Sequence, residues 1–499
     1  MTFNSVNFIL FFPIVVMVYF LIPQRAKNIW LLISSYYFYM SWNPKYVVLI
    51  VFCTVITWFG GRMIGYLNER TPDTKGKRQK ICLVLCVASN LLIMGFFKYF
   101  HFLTYNLSRL LDRVGIGIQI PVFDVLLPVG ISFYTFQALG YIIDVYRGTI
   151  KPEKNLLQYA LFVSFFPQLV AGPIERSKNL IHQIHEPHYF DGDRVARGLL
   201  LMSWGFFKKL VIADRAALLV TAVYTDYTDY TGIQIAVATM FFAVQIYCDF
   251  SGYSDIAIGA AQVMGFTLME NFHSPYFAKS VAEFWRRWHI SLTTWFRDYL
   301  YIPLGGNRMG KWKKYRNLMI TFCISGLWHG ASWNYVVWGA LNGLYQVIGD
   351  LTKNFRDGVK RFLHVNTQCW SYRFFQGVIT FILVDFSWLF FRANGVADAL
   401  VMLRHMISTP EFFSMFNTDN VLGIATLSLD EKDFYVLLIA IVVLFMIDFL
   451  KDKIHLRTVL MRQNLVFRYA VYYCILFTIL IFGIYGPEFD ASTFIYFQF

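Results

Sequence analysis

Apolar runs long enough to cross a lipid bilayer recur along this chain from its first residues to its last. The clearest runs are 5–22, 46–66, 81–97, 125–146, 231–248, 372–391, 434–450 and 467–485. Each is close to the roughly 20 residues that a helix needs to span about 30 Å of hydrocarbon. Hydrophobic residues make up 57% of the 499 residues and charged residues 15%, so lipid must be the solvent for much of the surface.

Shorter or interrupted apolar runs add candidate segments at 29–41, 155–172, 197–222, 316–328 and 334–350. Together the runs predict an all-α integral membrane protein of about 11 to 13 transmembrane or re-entrant helices. A membrane β-barrel would instead show short segments of alternating hydrophobicity between turns. Because no internal repeat divides the chain, we expect one multi-pass domain over residues 1–499, with its core at about 125–350.

The net charge of +13 lies in loops rather than along one groove. The connection between two strong spans carries Arg62, Arg70, Lys75, Lys77, Arg78 and Lys80. The positive-inside rule places this loop in the cytoplasm and therefore the N-terminus on the extracytoplasmic side. The first apolar run lacks a basic leader and a cleavage pattern, so we expect a retained anchor. We expect these cations to contact anionic headgroups of membrane lipid, and we expect no nucleic acid partner.

The run at 155–172 is interrupted at its end by Pro167, Gly172 and Pro173. Proline removes a helical donor, so this backbone is stable at membrane depth only where it packs against protein or water. A re-entrant hairpin would return the following basic loop to the cytoplasm. We therefore favour a hairpin over a complete crossing.

Segment 281–301 is rich in tryptophan and arginine. At the helical period its large side chains gather on one face, namely Trp285, Trp288, Leu292, Trp295, Phe296 and Tyr299. This pattern predicts one amphipathic helix that lies along the membrane interface or obliquely within the bundle. His289 lies at the edge of the aromatic face.

Two histidines in apolar surroundings are the leading candidates for acid–base chemistry. His329 follows an almost entirely apolar run, and an imidazole at such depth is costly to desolvate. Gly326 and Gly330 flank it, so backbone or ligand can approach closely on either side. His329 and His289 can each carry a proton near neutral pH, although either can instead be a core histidine that satisfies a local hydrogen bond.

Asp249 and Asp255 lie in another apolar run and need partners there, such as arginine or hydroxyl groups. They can line a water path or form structural ion pairs. The turn Gly305–Arg308 resembles a phosphate-binding turn but lacks a P-loop frame.

Metal and covalent serine chemistry are not indicated by the pattern of residues. His182, His185 and His188 repeat at intervals of three, but Pro187 interrupts the helix that would align them. There is no Gly-x-Ser-x-Gly elbow. We therefore expect no metal site and no bound cofactor.

Several motifs together resemble the membrane-bound O-acyltransferase (MBOAT) family. They are FWRRWHISLTTWFRDYLYIPLGGNR at 284–308, LWHGASW at 327–333, FPQLVAGPIER at 166–176, GFFKKLVIADR at 205–215 and the stretch from Asp249 to Asp255. The resemblance covers nearly the whole chain. It favours the bacterial branch that acts on polysaccharides, which includes the membrane subunit of alginate O-acetylation.

This resemblance implies a central funnel with His329 at its waist and His289 near it as the catalytic pair. It implies substrate-binding or tunnel roles for Asp249, Ser251, Asp255, Trp285, Trp288, Trp328, Asn307 and Arg308. The implied donor is a cytoplasmic acyl thioester, acetyl-CoA or another. The implied acceptor is an exported or cell-wall polysaccharide, reached directly or through an extracytoplasmic SGNH-like acetyltransferase. The implied location is the bacterial inner membrane.

Two alternatives stay open at this point. A sister branch transfers D-alanine from a carrier-protein thioester to teichoic acid, and it resembles this chain around Trp288 and His289. A polysaccharide or lipid transporter would instead use the intramembrane histidines and aspartates as a proton relay.

Overall fold

A computed structural model of the protein describes residues 1–70, 76–116, 127–416, 421–454 and 456–485. Within these ranges the chain forms helices and connecting turns, and no strand. The first helices are α1 Val6–Leu21, α2 Gln24–Met40, α3 Val47–Arg70, α4 Lys77–Arg113, α5 Ile131–Arg147, α6 Leu156–Ser164, α7 Phe166–Leu169, α8 Ser177–His185, α9 Gly192–Phe206, α10 Asp214–Thr225 and α11 Gly232–Met264. The remaining helices are α12 Val281–Arg287, α13 Ile290–Phe296, α14 Lys311–His329, α15 Trp333–Leu351, α16 Lys353–Phe362, α17 Trp370–Arg392, α18 Val396–Ser408, α19 Glu431–Lys451, α20 Leu456–Met461 and α21 Leu465–Phe482. The all-α prediction is confirmed.

Six helices of the described chain are long and apolar enough to cross a membrane: α3, α4, α11, α17, α19 and α21. Other helices occupy the remaining predicted segments, and the protein is a multi-pass membrane protein. Helix α4 continues to Arg113, well past the predicted end at residue 97. The run predicted at 125–146 starts outside the described residues, and α5 begins at Ile131, directly after the left-handed Gly130.

The chain divides into two compact units. One comprises residues 1–199 and 257–269, and the other residues 200–256 and 270–499. Helices α9 and α11 contribute residues to both units. The single domain expected over 1–499 stays a prediction.

In the first unit the predicted interruption near Pro167 is confirmed. Helix α6 ends at Ser164, and Pro167 lies in the first turn of α7. The carbonyl of Phe162, near the end of α6, accepts from the side-chain amides of Gln137 at 2.6 Å and Gln168 at 2.8 Å. Protein side chains thus satisfy a carbonyl that the end of α6 leaves without a helical donor, as a buried break in a membrane protein requires.

In the second unit the continuous helix predicted over 281–301 is wrong. The segment forms α12 and α13, followed by a π-helical turn at Arg297–Tyr301. The break falls at His289, whose backbone is left-handed with φ 42°. The tryptophans of segment 281–301 are buried, namely Trp285, Trp288 and Trp295. Their burial favours a position of the segment within the protein over one along the membrane interface.

Helices α14 and α15 form a tight antiparallel hairpin. A Cβ atom built on Gly326 would lie 2.1 Å from the backbone oxygen of Tyr335, and one on Gly330 would lie 2.2 Å from the Tyr335 ring. On the facing helix, a Cβ on Gly339 would lie 2.2 Å from the backbone oxygen of Phe322. The predicted close approach beside His329 is therefore made by the partner helix of the hairpin.

Gly326→Ala is expected to destabilise the protein, because the obstructing atom is backbone and cannot rotate away. Overpacking of this kind costs about 1–3 kcal/mol. Gly349→Ala is the matched control, because a Cβ there meets nothing within 4 Å in the same hairpin. Thermal unfolding of the two purified variants in detergent measures the difference. Equal midpoints would contradict the close packing.

Candidate active site

His329 is the last residue of α14, and Gly330 continues in extended backbone with φ −165°. The imidazole is only 3% exposed. Its ring lies 5.0 Å from that of Trp328, 5.1 Å from that of Trp338 and 5.6 Å from that of Phe391, centroid to centroid. Trp333, four residues further on, is 55% exposed, so the histidine is buried close to where the chain returns to the surface.

His289 is held between α12 and α13. Left-handed backbone costs a non-glycine residue about 1–2 kcal/mol, so the surrounding structure must fix it. Asn271 does so, because its backbone oxygen accepts from the amide of Ile290 at 2.9 Å. Its side-chain Oδ1 lies 3.1 Å from Nδ1 of His289. Both side chains are fully buried or nearly so.

The contacts of Asn271 assign the tautomer of His289. Its Oδ1 also accepts from the backbone amide of Ser291 at 3.2 Å and from the Ser291 hydroxyl at 2.9 Å, while its Nδ2 donates to Oγ of Ser254 at 3.2 Å. Since Oδ1 is an acceptor, Nδ1 of His289 carries the hydrogen. His289 lies outside the spanning helices, and burial lowers its pKa. The ring is therefore neutral, with its lone pair on Nε2.

The two histidines predicted to form the site lie side by side. Their ring centroids are 6.5 Å apart, with the ring planes at 63°. This separation is too long for a hydrogen bond between the rings. Adjacent polar groups of one substrate, placed between the two imidazoles, can contact both rings. The structure thus brings together two imidazoles that are 40 residues apart in sequence (329 − 289).

The three predicted tryptophans form a wall around the pair together with two that were not predicted, Trp338 and Trp388. Trp328 lies 6.1 Å from the ring of His289. Trp285 packs 5.6 Å from Trp338, and Trp288 packs 5.1 Å from Trp388. Trp338 and Trp388 stack at 5.5 Å and an interplanar angle of 21°. We call Trp285, Trp288, Trp328, Trp338 and Trp388 the tryptophan wall; all five are less than 9% exposed.

A buried amide fixes this wall. Asn342 of α15 accepts from Nε1 of Trp285 at 3.2 Å and donates to the backbone oxygen of Trp338 at 2.9 Å and to Oγ of Ser387 at 3.2 Å. It therefore links α12, α15 and α17. Buried polar groups that are satisfied in this way specify one arrangement of the side chains around them.

The predicted acidic residues lie on α11, the helix that contacts His289 through Phe250, and both are held by lysines. Phe250 of α11 packs 4.6 Å from the His289 ring. On either side of it, Asp249 accepts from Nζ of Lys209 at 2.6 Å, and Asp255 accepts from Nζ of Lys208 at 2.7 Å. Lys208 also donates to Oγ of Ser251 at 2.7 Å. The predicted need for partners is confirmed, and ion pairing rather than a free carboxylate is what the structure contains.

Both lysines belong to a π-helical turn at Phe207–Ala213, between α9 and α10. π-helical turns often occur at functional sites, where they re-aim side chains. Here the turn directs Lys208 and Lys209 toward α11. Lys209 also binds Asp214 at 2.8 Å.

Asn307 and Arg308 are not brought to the histidine pair. They lie on an exposed loop at the other end of α14. Asn317 anchors this loop by donating to the backbone oxygens of Leu304 at 3.0 Å and Gly306 at 3.1 Å. Twelve residues of helix, about 18 Å, separate Asn317 from His329.

The three histidines at 182, 185 and 188 do not converge. His185 contacts Glu153 at 2.8 Å, His188 contacts the backbone oxygen of Gln183 at 2.8 Å, and His182 lies 3.4 Å from Glu186. Throughout the described residues no group of three or more potential ligands is arranged to hold a metal ion.

Sequence reasoning missed several residues that organise the site. Residues not singled out as site residues are Asn271, Asn342, Trp338, Trp388 and the two lysines Lys208 and Lys209, although the lysines lie within the motif at 205–215. The two lysines had a usable signal, because they interrupt the apolar run 197–222 and must be paired if that run is buried. The two asparagines had no comparable local signal, because only their distant partners give them a role.

Comparison with known proteins agrees with the motifs. Residues 151–383 match the membrane-bound O-acyltransferase family. The chain is 40% identical over 427 residues to a probable alginate O-acetylase AlgI of Pseudomonas aeruginosa, covering 85% of this chain and 78% of the relative. It is 34% identical over 441 residues to a peptidoglycan O-acetyltransferase of Helicobacter pylori, covering 81% and 79%. A teichoic acid D-alanyltransferase of Streptococcus thermophilus is 31% identical over 234 residues, covering 44% and 56%.

The resemblance inferred from the motifs is confirmed at this level of similarity. The chain belongs to the membrane-bound O-acyltransferase family and is a multi-pass membrane O-acyltransferase.

Proposed function

We propose that this protein transfers an acetyl group from acetyl-CoA in the cytoplasm to a hydroxyl of an exported or cell-wall polysaccharide, in a bacterial inner membrane. The observation that carries the proposal is the pair of buried imidazoles 6.5 Å apart inside the tryptophan wall. The acceptor class follows from the alginate and peptidoglycan O-acetyltransferases that this chain is similar to. An acyl group from a cytoplasmic thioester must meet such an acceptor part-way across the membrane.

His329 is the general base of the proposed reaction. It takes the proton of the acceptor hydroxyl as the hydroxyl oxygen attacks the thioester carbonyl carbon. The new C–O ester bond forms, the C–S bond breaks, and the leaving thiolate takes the proton back from the imidazolium. The products are the acetyl ester and the free thiol of CoA, so the histidine ends the cycle unchanged.

His289 orients the acceptor in this proposal. Two roles are chemically open to a histidine beside the base, namely orientation of the acceptor and stabilisation of the developing oxyanion. Oxyanion stabilisation needs an N–H directed at the substrate. Because Nδ1 of His289 donates to Asn271, Nε2 of the neutral ring can only accept. A second hydroxyl on the same sugar is a donor that Nε2 can bind, which would hold the first hydroxyl toward His329.

The tryptophan wall serves to exclude water. A thioester that reaches a general base can be hydrolysed as well as transferred, and an apolar enclosure favours transfer by limiting competing water. Asp249, Ser251 and Asp255 support α11 beside His289 through their contacts with Lys208 and Lys209.

The charge distribution of α14 supports the proposed orientation. Its first turns carry Lys311, Lys313, Lys314 and Arg316, whereas His329 is its last residue. The positive-inside rule places the lysine end in the cytoplasm. Asn307 and Arg308 then lie on the donor side, where a cationic loop can bind the phosphates of CoA. An extracytoplasmic acetyltransferase that takes the acetyl group onward, and an extracytoplasmic N-terminus, belong to the same proposal.

Purified protein in lipid nanodiscs tests the donor. With acetyl-CoA and polysaccharide we expect release of CoA thiol, and labelled acetyl groups on the acceptor or on a partner acetyltransferase. Release only from a D-alanyl carrier-protein thioester would instead support the alternative that the D-alanyltransferase similarity suggests. In cells, inactivation should remove acetyl groups while polysaccharide export continues. Lost export would support a transporter.

A further inference from the structure

Helix α16, Lys353–Phe362, has two chemically distinct faces, and its large apolar side chains face outward. Phe355 is 74% exposed, Val359 is 40% exposed and Phe362 is 82% exposed. These residues are spaced at i, i+4 and i+7, so they form one stripe. Leu351 before the helix and Leu363 after it are also exposed and extend the stripe.

The opposite face of α16 is basic. It carries Lys353, Arg356, Lys360 and Arg361, with Asp357 as the single acidic residue of the helix. Lys360 forms an ion pair with Asp357 at 2.9 Å, which leaves a clear excess of positive charge on this face. A short helix with an exposed aromatic stripe and a cationic face is the pattern of a helix that lies in a membrane interface.

A surface cavity of about 790 Å³ lies between this basic face and the first turns of α17. Its charged lining is Lys360, Arg361 and the carboxylate of Asp357 that pairs with Lys360, and the imidazole of His364 lies beside them. Thr367 and Tyr372 supply hydroxyl groups, Asn354 and Gln376 supply neutral amides, and Val365 completes the lining. Such a lining suits a phosphate ester with polar substituents.

The start of α17 sets the level of the membrane next to this cavity. Helix α17 is one of the spanning helices. At its first residue Trp370 is 73% exposed and stacks on Phe374 at 5.2 Å. Exposed tryptophan at the end of a spanning helix is typical of the headgroup level of the bilayer. The cavity, which is lined by residues of this same turn, is therefore at headgroup depth.

We propose that α16 is an interfacial helix and that the cavity beside it binds the headgroup of an anionic phospholipid. Charge complementarity selects an anion, and the exposed aromatic stripe selects a lipid over a soluble phosphate, because a soluble anion would leave the stripe in water. The sequence suggested an interfacial helix at 281–301; in this proposal the interfacial helix is instead α16, at 353–362.

The leaflet follows from the neighbouring hairpin. Lys314 of α14 binds Asp350 of α15 at 2.8 Å, which places the basic start of α14 at the same end of the hairpin as α16. Positive charge concentrated at one end of neighbouring segments indicates the cytoplasmic side. Where anionic lipid is enriched at a cytoplasmic surface, each basic side chain near that surface raises the affinity of the segment for the membrane roughly fivefold.

Hydrogen–deuterium exchange of the full protein in nanodiscs tests the proposal. Amides of 353–363 should exchange more slowly when phosphatidylglycerol is added to phosphatidylcholine. The double variant Lys360→Gln, Arg361→Gln should lose this protection and bind short-chain phosphatidylglycerol about 25-fold more weakly. The double variant Phe355→Ser, Phe362→Ser should lose protection while its headgroup cavity is retained. Lys151→Gln, Lys154→Gln is the control of equal charge at two exposed lysines elsewhere.

Three results would overturn the proposal. Equal exchange of α16 in the two lipid mixtures would exclude a headgroup site. Equal protection by inorganic phosphate or by CoA in phosphatidylcholine alone would assign the cavity to a soluble anion. Unchanged phosphatidylglycerol binding in the Lys360→Gln, Arg361→Gln variant would show that these two side chains do not bind the headgroup. A thermal midpoint like that of wild type shows that each variant is folded.

Discussion

Replacing His329 by alanine is expected to lower the rate of acetyl transfer by about 10²- to 10⁴-fold, the usual contribution of a general base. The imidazole lies beside His289 inside an aromatic enclosure, with little exposure to bulk water that could take over the proton transfer. Little residual rate should therefore come from solvent. Binding of the donor should change less than turnover, because the proton is transferred only in the reaction step.

The measurement is release of CoA thiol by purified protein together with transfer of labelled acetyl groups to acceptor. His329→Ala leaves a cavity among Trp328, Trp338 and Phe391, so His329→Gln is the second variant, which keeps more of the volume and cannot act as a base. His182→Ala is the control, since that side chain is 73% exposed and lies in the other compact unit.

A His329→Gln protein that unfolds like wild type and still transfers acetyl groups at full rate would assign this histidine a packing role. Loss of both thermal stability and activity in His329→Ala, with normal behaviour of His329→Gln, would lead to the same conclusion. Only a folded and inactive His329→Gln protein agrees with the proposed base.

The apolar runs and the apolar surroundings of the two histidines were predictable, because the sequence signal for each is local. A run of apolar residues needs lipid or protein around it wherever it lies, and a histidine next to such a run carries a desolvation cost that the sequence alone reveals. The break at Pro167 has the same character, because proline removes a donor in any fold. These predictions required no knowledge of tertiary contacts.

The break at His289 was not predictable from periodicity. The aromatic residues of 281–301 fit one helical face, and a continuous helix would bury them equally well. What ends α12 is a backbone hydrogen bond from Ile290 to Asn271, a residue 18 positions upstream of His289 (289 − 271). A contact between separate segments thus overrides a local pattern that was itself consistent.

The sequence left the surroundings of segment 281–301 open, between the membrane interface and the bundle, for a related reason. Segment 281–301 has arginines that suggest an interface, yet Arg287 reaches Glu283 at 3.0 Å and Asp452 at 2.9 Å, so its charge is satisfied within the protein. Helix α16 has a comparable pattern, but its apolar side chains have no protein cover. Composition alone does not distinguish the two cases.

Lys209→Met is expected to destabilise the protein by about 3–5 kcal/mol, the typical effect of removing one partner from a buried ion pair. Nζ of Lys209 lies 2.6 Å from Asp249 and 2.8 Å from Asp214, and all three side chains are at most 4% exposed. Without the ammonium group, two carboxylates would be buried beside each other. Thermal unfolding in detergent should show a large fall in the midpoint.

Lys208→Met provides the matched comparison in the same π-helical turn. Its partner Asp255 is 18% exposed and can be solvated when the lysine is lost. We therefore expect a smaller fall in the midpoint, although the two substitutions remove the same chemical group from adjacent positions.

The triple variant Lys209→Met, Asp214→Asn, Asp249→Asn distinguishes a structural role from a catalytic one. Removing all three charges together avoids an unpaired buried carboxylate, so much of the lost stability should return. If the cluster serves only to hold α11 beside His289, acetyl transfer should return with it. A triple variant that is as stable as wild type but inactive would instead place Asp249 on a proton path to the histidine pair, the role that the sequence left open for this carboxylate.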